Sequence, residues 1–248
     1  MSERTLLRFI YYLLTLPVYF IGYLFLKVGV FNFKEKMRKC IQVVDERNNE
    51  IPDVFISYLI AAEDHRSQFH YGIDHIGILR ALIRGILIGE TQGASTIEQQ
   101  FVRVVTGDYS YSILRKLKEQ ILAVLLTKKR SKAEVAKAYL AIAYYGHNCD
   151  GAKGIESILR HSLKKASEKQ IIVIVSRLKY PKPSTEVSRW KGKVDRRVAY
   201  IKNRHKNATN KARQRMLRTA ARSVNIHFGL RKRSPKVGAF SSKSRSDV

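Results

Sequence analysis

Glu63 and Asp64 stand side by side in AAEDHRSQFHYGID, residues 61–74, at the end of the apolar run VFISYLIAA. An acid at the end of an apolar helix is partly desolvated. Desolvation raises a carboxylate pKa and makes a better general base near neutral pH. The competing reading is plainer: both acids are solvated, or paired with Arg66 or Arg80. Glu119 lies in RKLKEQ, one helical turn after Arg115, so the two side chains face the same way. This is either a surface ion pair or a carboxylate beside a cationic grip for a diphosphate. A third group is GASTIEQQFVR, with Ser95, Thr96, Gln99, Gln100 and Arg103. Hydroxyls and backbone N–H groups at a helix start can hold phosphate or sugar oxygens; they can equally cap the helix.

The elements that position these groups read as helices. Pro52 suits a first helical turn, and Ile56, Leu59 and Ile60 give an apolar face that stops at Glu63. HIGILRALIRGILIGET repeats Ile76, Leu79, Ile83 and Leu87 at spacings of three and four, with Arg80 and Arg84 one turn apart. Residues 111–146 read as two helices broken near KKRSK. EKQIIVIVSRL is β-branched, and a strand or a buried helix fits it equally. Pieces of chemistry are missing: no HExxH, no paired CxxC and no phosphate-binding loop occurs. Ser162 and Lys165 form an S-x-x-K spacing without a K-T-G partner. Cys40 and Cys149 have no metal-site spacing.

The chain of 248 residues carries 47 basic and 20 acidic side chains, a net charge of +27. Such an excess points to an anionic partner: nucleic acid, an anionic membrane surface or a phosphorylated substrate. FIYYLLTLPVYFIGYLFL, residues 9–26, has no charge and as a helix would be about 27 Å long, close to a bilayer core. It is read as an anchor over 9–33, after a short tail, 1–8. Basic residues flank it on both sides, with more after it, which by charge alone favours a cytoplasmic C-terminal part. A basic hinge is expected over 34–49, a catalytic domain over 50–189, and a basic extension over 190–248. RHKNATNKARQRMLRTAARS in that extension suits a basic helix, and RKRSPKVGAFSSKSRSDV suits disorder.

In order along the chain, the motifs resemble those of the peptidoglycan glycosyltransferases. EDHRSQFHYGID is similar to the first, E-D-x-x-F-x-x-H-x-G-x-D, in Glu63, Asp64, His70, Gly72 and Asp74; Ser67 stands where the family has phenylalanine. GASTIEQQFVRV is similar to the second, G-x-S-T-I-T-Q-Q-x-x-K-N, with Glu98, Arg103 and Val104 as departures. RKLKEQILAVLLT resembles the third in Arg115, Lys116, Glu119, Ala123 and Leu126, with Thr127 replacing a glutamate. KAEVAKAYLAIAYYGHNCDG resembles the fourth in Lys132, Tyr139, Leu140, Gly146 and Gly151, with Ala141 in place of asparagine. The resemblance covers roughly residues 50 to 185.

The resemblance implies a mainly α, lysozyme-like domain with a membrane-associated jaw, on a bacterial cytoplasmic membrane and facing outward. It implies lipid II as substrate and a growing glycan strand as product, with inversion at the anomeric carbon. Glu63 would be the general base. Glu119, Arg115, Lys116 and Arg103 would hold the leaving diphosphate, with a divalent ion, magnesium or manganese, as the candidate cofactor. Asp64, His70, Ser95, Thr96, Gln99 and Gln100 would bind the substrate. Crosslinking would fall to a separate transpeptidase, and nucleic acid would not be a partner. The departures leave two rival expectations: a divergent inactive relative, and a membrane-anchored basic protein for anionic lipid or nucleic acid.

Overall fold

A computed structural model of the chain describes residues 3–89 and 93–231, with side chains through 217. The described residues contain helices and two isolated bridges, Tyr144 with Asp150 and Gly146 with Lys182, and no strand. The chain divides into two units, residues 1–205 and 206–248. In the second, what is described is helix, and the final stretch expected to be disordered lies outside the described residues from 232 on.

The α-helices in order are α1 (Glu3–Val28), α2 (Phe33–Arg47), α3 (Val54–Glu63), α4 (His75–Ile88) and α5 (Ile97–Thr106), then α6 (Ile113–Thr127), α7 (Lys132–Ile142), α8 (Gly151–Leu159), α9 (Glu168–Lys179) and α10 (Val187–Arg231). The mainly α expectation holds. Several starts are written in the sequence. Ser131 and Ser167 each open a capping box, with Glu134 and Gln170 returning the bond, and Thr96 and Ser112 cap α5 and α6. α9 settles the ambiguity of EKQIIVIVSRL: it is a helix whose Ile171, Ile172, Ile174 and Val175, at i, i+1, i+3 and i+4, form one buried face.

Three boundaries differ from expectation. α1 begins before residue 9 and ends at Val28, where Gly29, Phe31 and Asn32 turn the chain with positive φ. The expected hinge is α2, whose Phe33, Met37, Cys40 and Val44 are buried. Those positions recur at four, three and four, a core seam hidden among the lysines on its outer face. The basic extension begins inside the domain, because Val194 and Ile201 of α10 are buried and Ile201 joins the core.

α1 is long and apolar enough to cross a membrane. It docks along a narrow stripe. Tyr11, Thr15 and Gly22 are buried, while Phe9, Leu13, Phe20 and Leu24 of other faces are exposed. Gly22 meets α6 so closely that an added Cβ would lie 2.7 Å from Ile121. The expected apolar face of α4 is not core: Leu79, Ile83 and Leu87 are exposed, with Ile86 beside them, and Gly77 is its one buried residue.

Candidate active site

The turn after α3 is built around buried charge. Asp64 is buried and takes the Nε2–H of His70 at 2.9 Å. His70 Nδ1 faces the Lys132 ammonium at 3.1 Å, so it accepts there, which fixes the ring as the neutral Nε2–H tautomer. Lys132 Nζ also lies 2.7 Å from Glu98 Oε1, and Glu98 is buried. Burial pushes the Glu98 carboxyl up, but the Lys132 ammonium beside it outweighs this and holds it below the ordinary value. Glu98, a departure from the family motif, is thus the counter-charge to Lys132.

Gly72 joins three motifs. Its carbonyl accepts from Thr96 Oγ1 at 2.8 Å and from Gln99 Nε2 at 3.1 Å. Its φ of +92° and the α6 backbone, 2.7 Å from where a Cβ would sit at Ala123, require glycine there. Asp74 caps α4 through Gly77 N–H, accepts Arg66 through two nitrogens, and accepts Tyr11 Oη–H at 2.6 Å. The apolar α1 is therefore bonded to the same turn that carries Glu63.

Glu63 itself lies at the wall of a cleft of about 1180 Å³, with Ser95, Gln100 and Arg103 on the same cleft. One carboxylate oxygen takes Arg197 Nη2 at 2.6 Å and the other takes Gln100 Nε2 at 3.2 Å. Gln100 is oriented in turn by Tyr139 Oη–H at 2.8 Å. Arg80, Arg84, Lys179 and Arg204 also line the cleft, so its rim is strongly cationic.

Arg103 links this cleft to Glu119. Its Nε and Nη2 each reach a Glu119 oxygen at 3.0 Å, while Arg115 and Lys116 approach from the next turns of α6. Ser95 accepts Lys116 Nζ at 2.7 Å. Three cations surround one buried anion, a surplus of two positive charges. Burial pushes the Lys116 ammonium below its ordinary value, against the upward pull of Glu119. Arg80, Arg115 and Arg197 each hold a buried Nε–H without an acceptor.

The profile of a family described as Transglycosylase matches residues 32–206. The chain belongs to that family. It is 37% identical over 118 residues to penicillin-binding protein 1F of Bacillus subtilis, 47% of this chain and 16% of the relative. It is 35% identical over 136 residues to penicillin-binding protein 1B of Haemophilus influenzae, 52% and 17% of the two chains. Against penicillin-binding protein 1A of Escherichia coli the identity is 36% over 104 residues, 42% and 12%. The chain spans less than a fifth of the length of each of these relatives. The mainly α, lysozyme-like class fits the transglycosylase domain.

Within that domain the expected site residues fall into two groups. Glu63, Ser95, Gln100 and Arg103 share the cleft, and Glu119, Arg115 and Lys116 join them through Arg103. Asp64, His70, Thr96 and Gln99 are buried, and hold the first and second motifs together rather than lining the cleft. Asp64 and His70 are bonded to each other, His70 faces Lys132, and Thr96 and Gln99 donate to the Gly72 carbonyl. Arg197 and Tyr139 were missed as partners of the site. Tyr139 carried a signal, as a matched position of the fourth motif; Arg197 lay in a run of basic residues with nothing to single it out.

By type and proximity Asp64, His70 and Glu98 could hold a metal ion, their ligand atoms lying within 4.8 Å of one another. The geometry argues against it. Both His70 nitrogens are engaged, and the Lys132 ammonium stands against Glu98. Glu119 is matched by three cations and Glu63 by Arg197. The residues present do not fit a divalent ion at either place.

Proposed function

We propose that the chain polymerises peptidoglycan glycan strands from lipid II. The observation that supports this reading is Arg103, which lines the cleft beside Glu63 and bonds the cationic Glu119 cluster behind it. Glu63 takes the proton from the 4-hydroxyl of one sugar as that oxygen forms its bond to the anomeric carbon of the other. The bond from that carbon to the diphosphate breaks, with inversion, and the diphosphate leaves with the electron pair. Arg103, Arg115 and Lys116 stabilise the negative charge that develops on it. Glu119 holds these three cations in place and keeps them from repelling one another. Ser95 and Gln100 border the donor sugar and phosphate; the buried Asp64, His70, Thr96 and Gln99 position the walls.

The side-chain cations Arg103, Arg115 and Lys116 carry the diphosphate charge without magnesium or manganese. The apolar α1 and the exposed apolar face of α4 support a seat in a bacterial cytoplasmic membrane, with the cleft on the outer side where lipid II is displayed. The growing strand remains the second ligand, and a separate transpeptidase would crosslink the product. Retention of both key glutamates with their partners supports an active enzyme over an inactive relative.

Polymerisation of purified lipid II by the detergent-solubilised protein, with Glu63→Gln beside it, tests the reading. Glycan chains from the native protein and none from the variant are expected. Chains from both would remove Glu63 from its role, and chains from neither would remove the activity.

A further inference from the structure

Arg197 is the feature of the cleft that the motifs do not include. It comes from α10, 134 residues after Glu63, and Glu63 is its carboxylate partner at 2.6 Å. The same Nη2 also donates to the carbonyl of Ala62 at 2.7 Å, so the guanidinium is tied to the backbone of the residue before the acid. Its side chain is only 11% exposed, and it lies over the Tyr200 ring at 5.0 Å. Val194 and Ile201, on either side of it in α10, are buried and set the helix against the domain. Every contact that would fix a side chain is present: a backbone acceptor, a charged acceptor, an aromatic face and a packed helix.

We propose that Arg197 is the positioning residue for Glu63, holding one carboxylate oxygen so that the other faces the attacking hydroxyl. This rests on the reading of Glu63 as the base. A glutamate has three rotatable bonds, and a base displaced by an ångström loses much of its advantage. The grip on Oε1 by Arg197 is short and charged. The contact to Oε2 from Gln100 is longer, at 3.2 Å, and neutral, so a substrate hydroxyl can replace it. The planar fork of arginine suits this task. One of its nitrogens serves both the base and the Ala62 carbonyl, and its plane lies over the Tyr200 ring. Lysine keeps the charge but has a shorter reach and no planar face to lie over Tyr200.

The experiment is steady-state polymerisation of lipid II by the full chain in detergent, comparing native protein, Arg197→Ala, Arg197→Lys and Glu63→Gln. Arg197→Ala is expected to lower kcat by about tenfold to a hundredfold, with KM changed by less than about threefold. Arg197→Lys should recover part of that loss. Added guanidinium or ethylguanidinium ion should restore turnover to Arg197→Ala and leave Glu63→Gln inactive. Thermal unfolding of each variant separates positioning from folding, since a merely structural loss would not respond to guanidinium at an unchanged midpoint. Native kcat in Arg197→Ala would overturn the inference, as would a tenfold rise in KM at constant kcat, or absence of rescue. If Glu63→Gln polymerises like the native protein, the reading of the base fails first; if it is inactive and Arg197→Ala is not, only the Arg197 inference fails.

Discussion

Replacing Lys132 by methionine isolates the buried charge beneath the site. The native pair joins Lys132, 29% exposed at its side chain, to Glu98, 2% exposed, at 2.7 Å. Removing one member of a buried pair typically costs about 3–5 kcal/mol, because the other is left uncompensated. Here the survivor is the deeper of the two. Glu98 cannot turn to water, and its Oε2 already lacks a partner. Protonation is its one relief, which places the cost near the lower end, about 3 kcal/mol at neutral pH. For a chain of this size that corresponds to a midpoint lower by about 6–12 °C. The pH dependence has a definite sign. In the native protein the Glu98 carboxyl is held below its ordinary value, so its contribution is present above the unfolded pKa and is lost as pH falls through the folded one. In the variant the Lys132 charge is gone and burial dominates, so the carboxyl rises and the penalty shrinks as the pH is lowered. The assay is thermal or urea unfolding in detergent between pH 4 and 8, with Lys132→Met/Glu98→Gln as the second corner of a cycle. The double change should recover most of the loss. A single variant within about 0.5 kcal/mol of native at pH 7, or a double variant as weak as the sum of its parts, would refute the reasoning.

Two further outcomes follow from contacts around the first motif. Tyr11→Phe should cost about 1.5 kcal/mol in unfolding measurements in detergent, the low end for a bond to a charged group, because Asp74 keeps Arg66 and Gly77. Gly72→Ala should cost about 2 kcal/mol or more and lower lipid II polymerisation in the same preparation. Its φ of +92° disfavours any side chain, and the Cβ would press on the Ala123 backbone and shift the Gly72 carbonyl that accepts from Thr96 and Gln99.

Much of the site was legible because its spacings are local. Arg115, Lys116 and Glu119 fall within a turn of one helix, so their convergence follows from helical geometry. The Thr96 cap is likewise short-range chemistry; the Ser131 and Ser167 boxes are too, although they were not read from the sequence. What stayed hidden was tertiary. The α2 seam of Phe33, Met37, Cys40 and Val44 was masked by the lysines and arginine between its members, and composition outweighed period. Ile76, Leu79, Ile83 and Leu87 were rightly placed on one helical face, yet the pattern could not tell a core from a lipid-facing surface. Arg197 reaches Glu63 across 134 residues, and a single arginine among many carries no address.

The burial of Ile201 has a consequence for how the protein is made. The ribosome delivers α1 before the four motif-bearing segments, and α10 after them. Until residue 201 has emerged, the nascent chain holds every motif but has an open place in its core. The transglycosylase domain therefore completes its packing late in synthesis, after α1 is already available to the membrane. A product cut short between the fourth motif and α10 would look intact by its motifs and would be an unfinished fold, a target for proteolysis.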